Sequence, residues 1–528
     1  MPLLGVLTPV LPVSLVVPLI GAVVLVVYYV FYKVFGTRKA HPPLPPGPPR
    51  EFLLGHYRTV PEDAAFKKYA EWAKEHNSDV LYFETFGTKW IVLNSLQSAI
   101  GLLDKTGSIY ADRPRFVMFE EMGWSPTLTW LRWGPKYHLH RRVLQPPFTK
   151  SRVHQYTTLQ RREALIFCRD MINDPANWVN AARRFSVAIV LKIAYGLDVD
   201  SPDSPWIKLA ADVADAVGKS GAPASSIIDR FPLTRYLPTW LPFMERLRYA
   251  HQHRPTIQNT TQLPFEASLQ QAKKGETTSF IHDRLAVHRE NVKKGLPNEF
   301  ALEDIKGAAA TILIAGNDTT AATVMLLVLY LMQNPDAQRK GQEEISQVVG
   351  SERLPNWDDI PSLPYTNLIL QETYRMNPLS PLGIPHASVT DDVYNGMFIP
   401  KGTIVYQNVW AMHHDENIYQ EPFRFWPERY LPKEQGGNGE PLPVGNFGFG
   451  RRICIGRNLA ENSLLIILAT MLSTMEITYP VGKDGKPEQV EPEWSFRGQA
   501  IVLPFKAGIK PREKGNELLE SELASLDT

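Results

Sequence analysis

The segment Phe447-Gly-Phe-Gly-Arg-Arg-Ile-Cys454-Ile-Gly456 decides how this chain is read. It carries one of only two cysteines, the other being Cys168. A cysteine that binds a metal must be a thiolate, and a thiolate is stabilised by backbone N–H groups in a turn and by nearby positive charge. Gly448, Gly450 and Gly456 let the backbone turn tightly and approach a flat ligand closely. Arg452, two residues before the sulfur, is placed to meet a carboxylate of such a ligand. The helix expected after Gly456 points its positive end at the sulfur. A buried, inert cysteine is the ordinary reading of a lone Cys, but it leaves the surrounding glycines and arginines without a purpose. A dinucleotide-binding loop fits poorly, because Ile453 stands where the third glycine is needed and no strand-to-helix context surrounds it.

Working outward, the composition removes several classes. The chain has 528 residues, 44% of them hydrophobic and 21% charged, as in an ordinary globular protein. Lys plus Arg number 56 and Asp plus Glu 55, a formal charge of +1. No basic field exists to recruit nucleic acid. Two cysteines exclude a disulfide framework and a Cys-rich zinc site. A lone thiolate ligand must stay reduced, which favours a catalytic domain facing the cytosol.

No charged side chain occurs from Met1 to Tyr32, and Leu11 to Tyr32 is almost wholly apolar. That is long enough to span a bilayer, which needs ~20 residues. Lys33, Arg38 and Lys39 follow, so the positive-inside tendency leaves the rest of the chain in the cytosol. A cleaved signal peptide fits less well, since no basic region precedes the apolar run. Pro9, Pro12 and Pro18 weaken the start of the helix. The organisation expected is a single transmembrane anchor over 1–35, a Pro-rich hinge over 36–50, a catalytic domain over 51–510 and a polar, frayed tail over 511–528. The stretch His41 to Pro49 is stiff and non-helical, whether it serves as a plain linker or as a hinge that poses the domain above the membrane.

Val80–Phe83 and Trp90–Leu93, around Gly87, predict a β-hairpin. Glu303 to Asn334 predicts the longest helix, ended by Pro335. Pro400 to Tyr406 predicts a turn and strand, and 434–449 a loop. Between Ile227 and Leu247 lie Phe231, Leu233, Tyr236, Leu237, Trp240, Leu241, Phe243 and Met244. Two readings stay open there: core packing, or a partly exposed lid that dips into a membrane near a substrate entrance.

The cysteine segment resembles the haem-binding signature of the cytochrome P450 family, Phe-x-x-Gly-x-Arg-x-Cys-x-Gly, matched at Phe447, Gly450, Arg452, Cys454 and Gly456. Other segments follow in the family's order. Ala315-Gly-Asn-Asp318-Thr319-Thr320 resembles the oxygen-activation motif. Glu372-Thr-Tyr-Arg375 resembles the Glu-x-x-Arg helix, and Pro427-Glu-Arg429 the segment whose arginine joins that pair. Trp133-Gly-Pro-Lys-Tyr137-His-Leu-His-Arg141 resembles the family's Trp-x-x-x-Arg helix, with Tyr137 where Trp is usual. Pro385-His386 matches the strand that carries a propionate-binding Arg or His.

The resemblance covers nearly the whole chain. It implies a mainly α fold with small β-sheets and haem b (iron protoporphyrin IX) between the long helix and the cysteine loop. Cys454 is then the axial ligand of the iron. Arg452, Tyr137, Arg141, His386, Phe447, Gly450 and Gly456 are the further cofactor contacts. Asp318 and Thr319 relay protons to the oxygen under activation. Glu372, Arg375 and Arg429 form a buried structural charge network. Gly316 and the threonines are poor choices for a helix centre, which suggests a helix loosened for function.

The resemblance further implies that residues 116–124, 312–315, 379–384 and 497–501 line a substrate cavity, and the bulky apolar side chains of 116–124 fit that cavity to a hydrophobic molecule. A terpenoid, steroid, polyketide, fatty acid or aromatic xenobiotic would suit it, in a fungal-like secondary metabolism. The chain has no room for a flavin or nicotinamide domain. The resemblance therefore implies O2 and a separate, membrane-bound NADPH-cytochrome reductase at the endoplasmic reticulum, with Arg142, Lys150 and Arg451 as candidates for the docking face. Two alternatives remain: a peroxide isomerase or dehydratase on the same fold, which would not need Asp318 and Thr319, and a non-catalytic haem sensor.

Overall fold

A computed structural model describes Gly21, Val24, Leu25 and residues 41–526, apart from 125, 202, 222–225, 276–277 and 497. The anchor expected over 1–35 lies outside the described residues but for Gly21, Val24 and Leu25, which are helical. Arg497, expected at the substrate cavity, is also outside them. The chain divides into two units, 1–44 with 393–399, and 45–392 with 400–528. In the first, Phe398 N–H donates to the Pro43 carbonyl at 2.7 Å and its ring stacks on His41. All that follows concerns the second.

That unit is mainly helical. Its principal helices are α1 (Ala65–Glu75), α2 (Pro135–Leu144), α3 (Thr157–Asn173), α4 (Trp178–Tyr195), α5 (Pro205–Gly218), α6 (Glu245–Ala272), α7 (Phe280–Lys293), α8 (Leu302–Gln333), α9 (Pro335–Val348), α10 (Pro364–Met376), α11 (Arg457–Thr474) and α12 (Gly515–Leu526). The main sheet has β1 (Val80–Thr85), β2 (Thr88–Leu93), β3 (His386–Ala387) and β4 (Ile404–Gln407), in the order β1-β2-β4-β3. β1 and β2 form the expected hairpin, in register from Val80 opposite Leu93 to Thr85 opposite Thr88. Phe86 and Gly87 both take positive φ at its turn, as a two-residue hairpin of the type I′ kind requires. β2 and β4 run parallel, and β3 is antiparallel to β4.

α8 is the axis of the core. Pro335 ends it by opening α9 instead, a proline being favoured at a first helical position. α8 is long and apolar enough to cross a membrane, but 67% of its most apolar window is buried in the fold, as in a core helix. It is unbroken through Gly316, and a Cβ there would lie 2.4 Å from Val190 Cγ1 on α4. Glycine at this point therefore permits a close helix crossing. The loosened helix expected from the sequence is not what the structure shows.

Two other expectations change. The Pro-rich stretch is non-helical, but from Pro45 onward it lies on the sheet: Tyr82 N–H donates to the Pro46 carbonyl at 2.8 Å and His56 Nε2 meets the Pro48 carbonyl at 2.9 Å. The tail is not frayed. Its last turns form α12, which packs on α3 and buries Leu519 and Leu523, with Arg161 paired to Glu522 at 2.6 Å.

Candidate active site around Cys454

The cysteine loop is built from backbone bonds. Cys454 N–H donates to the Phe447 carbonyl at 2.8 Å, and Ile453 N–H to the Gly450 carbonyl at 3.2 Å. Gly448 and Gly450 have positive φ, and a Cβ on Gly450 would lie 1.9 Å from the Leu103 carbonyl oxygen, so glycine is required there. Gly456 is different. Its φ is −82°, and a Cβ would approach nothing nearer than the Cys454 sulfur, at 3.9 Å. None of the described residues demands glycine there, which leaves room beside the sulfur for a flat ligand.

Cys454 lies deep enough that burial pushes its thiol pKa up. The Gly456 and Arg457 N–H groups and the charges of Arg141 and Arg457 act the other way, favouring thiolate. α11 begins at Arg457, so the positive end of a helix meets the sulfur. The cysteine side chain is nevertheless accessible rather than packed. By contrast Cys168 is fully buried, with a thiol pushed well above its ordinary pKa by burial. The structure gives the two cysteines opposite surroundings.

α2 braces the loop. Tyr137 O–H donates to the Arg451 carbonyl at 2.6 Å, and Arg141 Nη1 to the Ile453 carbonyl at 2.8 Å. The Arg452 guanidinium lies 3.7 Å from the centre of the Tyr137 ring, within cation–π range. Arg452 itself is buried. Its Nε donates to the Ala111 carbonyl (2.6 Å) and its Nη2 to the Leu131 carbonyl (2.9 Å), while Nη1 has no partner among the described residues. His386 is buried too, with Nδ1 donating to the Tyr110 carbonyl at 2.8 Å; burial, with Arg113 close by, drives its pKa well below the usual imidazole value, so it is neutral.

Sequence reasoning missed Arg113. It is buried, its Nη1 donates to the Ile384 and Pro385 carbonyls at 2.7 and 2.8 Å, and its Nε has no partner among the described residues. Burial, and then the charge of Arg452, lower its pKa to about 9. Two buried guanidiniums, each with an unpartnered N–H, are costly unless an anion meets them. A haem with two propionates supplies that. The donor set fits the group.

On α8, Thr319 Oγ1 donates to the Ala315 carbonyl at 2.9 Å. Burial raises the Asp318 pKa, opposed by the charge of Arg183. Ala315 is the one exposed residue of α8 beyond Glu303, in an otherwise enclosed helix. Of the residues expected to line the substrate cavity, Phe116, Val117, Met118, Phe119 and Met122 are buried in a cluster with Ile228, Met244 and Leu247, while 379, 380 and 382–384 are half-buried. Trp124, Trp130 and Ile314 are its half-buried margin.

Glu372, Arg375 and Arg429 are all fully buried and joined. Glu372 receives two bonds from Arg375 (2.8 and 2.9 Å), one from Arg429 Nε (3.0 Å) and one from Tyr430 O–H (2.7 Å). Both arginines also donate to carbonyls, of His413, Pro422, Gln420 and Arg424, and Arg429 Nη1 pairs with the Glu440 carboxylate at 2.6 Å.

The cytochrome P450 family model matches residues 45–504. Among similar proteins, cytochrome P450 monooxygenase 98 of Postia placenta is 34% identical over 92% of this chain and 94% of its own length. Cytochrome P450 monooxygenase ple1 of Rhodocybe pseudopiperita is 32% identical over 92% and 93%. Tryptamine 4-monooxygenase of Psilocybe cyanescens is 31% identical over 92% and 95%. The fold and the site define a haem-thiolate oxidoreductase. The chain belongs to the cytochrome P450 family, whose members bind haem b through a cysteine thiolate and act as monooxygenases on small molecules with O2 and a redox partner.

Proposed function

We propose that this protein is a membrane-attached monooxygenase that places one oxygen atom from O2 into a hydrophobic small molecule, with electrons from a separate NADPH-cytochrome reductase. The observation that carries the substrate reading is the aromatic cluster of Phe116, Phe119, Trp124 and Trp130, with ring centres 4.6–6.4 Å apart and Ile314 of α8 at its edge. Ile314 is one helical turn from Asp318, so a molecule held by this margin is offered to that part of α8. Aromatic and branched walls favour ring-bearing substrates such as terpenoids, steroids, polyketides or aromatic xenobiotics.

In this reading Cys454 ligates the iron. Arg113 and Arg452 would hold the propionate side, with Tyr137 as the plate beneath Arg452 and Arg141 as the brace of the loop; His386, whose one N–H is spent on the Tyr110 carbonyl, would bond a propionate only once that negative charge has brought it a second proton. Phe447, Gly450 and Gly456 shape the cradle. Bound haem supplies the redox chemistry that activates O2. Asp318, enclosed and with a raised pKa, can hold a proton and pass it to Thr319 Oγ1. Thr319 releases the Ala315 carbonyl to pass a proton on. Arg142, Lys150 and Arg451 are exposed and offer the reductase a basic face.

The membrane reading rests on the residues 231–243. Phe231, Leu233, Tyr236, Leu237, Trp240 and Phe243 are all exposed, so core packing does not account for them. Phe231 meets Phe86, and Phe86 meets Tyr57, which extends the patch onto the hairpin turn. With the apolar N-terminus, this gives two attachments to the cytosolic face of the endoplasmic reticulum.

The reduced, carbon-monoxide-bound protein should show the red-shifted band of thiolate-ligated haem, and Cys454→Ala should lose it. A spectrum of the histidine-ligated type would overturn the reading. Turnover with a reductase against a panel of apolar ring compounds then tests the substrate class.

A further inference from the structure

We propose that Asp112 is a positioning residue of the haem pocket, which holds Arg113 and Arg452 in the pose that receives the two propionates. The proposal rests on the haem reading given above and concerns a residue outside the signature motifs.

The segment 110–113 is the hub of the propionate side. The Tyr110 carbonyl accepts from His386, the Ala111 carbonyl from Arg452, and the Asp112 carbonyl from Ala387 N–H at 2.8 Å. Arg113 leaves the same segment and reaches back to the Ile384 and Pro385 carbonyls. His386 and Arg452 are thus each bonded to this segment, and Arg113 springs from it.

The Asp112 side chain fixes this hub to the next segment. Its carboxylate accepts from Arg132 Nε at 2.9 Å and also from Arg132 Nη2. It further accepts from the backbone N–H of Trp133 at 2.7 Å and of Arg113 at 2.8 Å. The Leu131 carbonyl, beside that anchor, is the second acceptor of Arg452. Asp112 and Arg452 therefore tie the same two segments together from opposite sides.

The charges explain why a carboxylate belongs there. Arg113 and Arg452 repel each other, and each lowers its pKa mainly through burial. Asp112 favours the charged form of both guanidiniums, but its oxygens are taken up by Arg132 and by two backbone N–H groups, so it offsets their charge without capping their free N–H groups. They keep one unpartnered N–H each for an external anion. A carboxylate held in this way steers the guanidiniums without competing for the ligand. Asparagine at the same place would keep one acceptor oxygen but lose the ion pair to Arg132.

The test is haem transfer from the full-length holoprotein to excess apo-globin, with the midpoint potential and melting temperature measured beside it. Asp112→Asn should speed haem loss roughly tenfold, as removal of an outer-shell partner typically costs 10–100-fold. Arg132→Gln, at a half-exposed site, should do the same more weakly, and Asp112→Glu should recover most of the retention. Glu163→Gln is the comparison. It breaks the buried Glu163–Arg184 pair (2.7 Å) away from this hub, so it should lower the melting temperature with haem loss changed less than about twofold. If Asp112→Asn loses haem no faster than Glu163→Gln at a similar loss of melting temperature, Asp112 is merely structural and the proposal falls. Should Asp112→Asn fail to accumulate, Arg132→Gln decides on the same criterion. Failure of the parent protein to show thiolate-ligated haem would instead overturn the haem reading itself.

Discussion

Glu372 and Glu121 each gather arginines around a carboxylate, but in very different surroundings. The Glu372 cluster has no exposed member. Its arginines also bind carbonyls from several loops, so it fastens the region beneath the cysteine loop. Glu121, in the short helix Val117–Glu121, is largely buried, but its partners reach in from the surface. Arg235 Nε donates to it at 2.7 Å, His251 Nε2 lies 3.3 Å away and Arg254 Nη2 3.2 Å away, and Arg235 also meets Glu120 at 2.9 Å. These side chains come from 232–236 and from α6, where Pro255 cannot donate to the His251 carbonyl. The first cluster is a brace that nothing can leave. The second is a clasp whose parts can return to water, at the edge of the aromatic cluster.

The largest effect should come from breaking the brace. Glu372→Gln strands buried guanidinium charge and should cost about 3–5 kcal/mol, read as loss of folded haem protein in a denaturant titration. Next is Gly316→Ala. On an exposed helix it would stabilise by roughly 1 kcal/mol. Here the new methyl meets Val190, so a destabilisation of about 1–3 kcal/mol is expected, recovered when Val190→Ala is added.

Thr319→Ala should leave folding intact but uncouple NADPH consumption from product several-fold; unchanged coupling would remove the relay role. Glu121→Gln should cost about 1 kcal/mol or less, because the cations left behind face water. Its signature is faster substrate entry, with a dependence on salt that Glu372→Gln does not share.

The smallest effect concerns Asp318. Its folded-state pKa is raised by burial, so the folded chain holds the proton more tightly than the unfolded one. Stability then falls as pH rises from the ordinary carboxylate value through the raised one. Asp318→Asn should therefore be slightly more stable than the parent at neutral pH, with the advantage vanishing in acid.

Local features were legible in the sequence for physical reasons. The hairpin is written in two apolar runs around Phe86-Gly87, and α8 in an apolar stretch closed by Pro335. The spacing of Glu372 and Arg375 places them on one helix face, although only resemblance brought Arg429 to them. Arg113 and Asp112 were not legible, because what gives them meaning is the carbonyls of 384–385 for the first and the Arg132 guanidinium and Trp133 N–H for the second, which no pattern announces. Gly316 was misread for a similar reason: its partner Val190 lies on another helix. The tail did carry a signal. Leu519 and Leu523 stand one helical turn apart behind Gly515, but the many charges around them hid it.

The docking of α12 bears on how the chain is made. Its seat, α3, leaves the ribosome some 350 residues before α12 does, about 20–70 s at ~5–20 residues per second. α11, another helix packed on α3, also comes from the C-terminal end. During that interval the surfaces that α11 and α12 will cover stand open on the nascent chain, where they invite chaperones or aggregation. The ligand loop is translated just ahead of α11, so the thiolate site is completed by the same late segments that close the core.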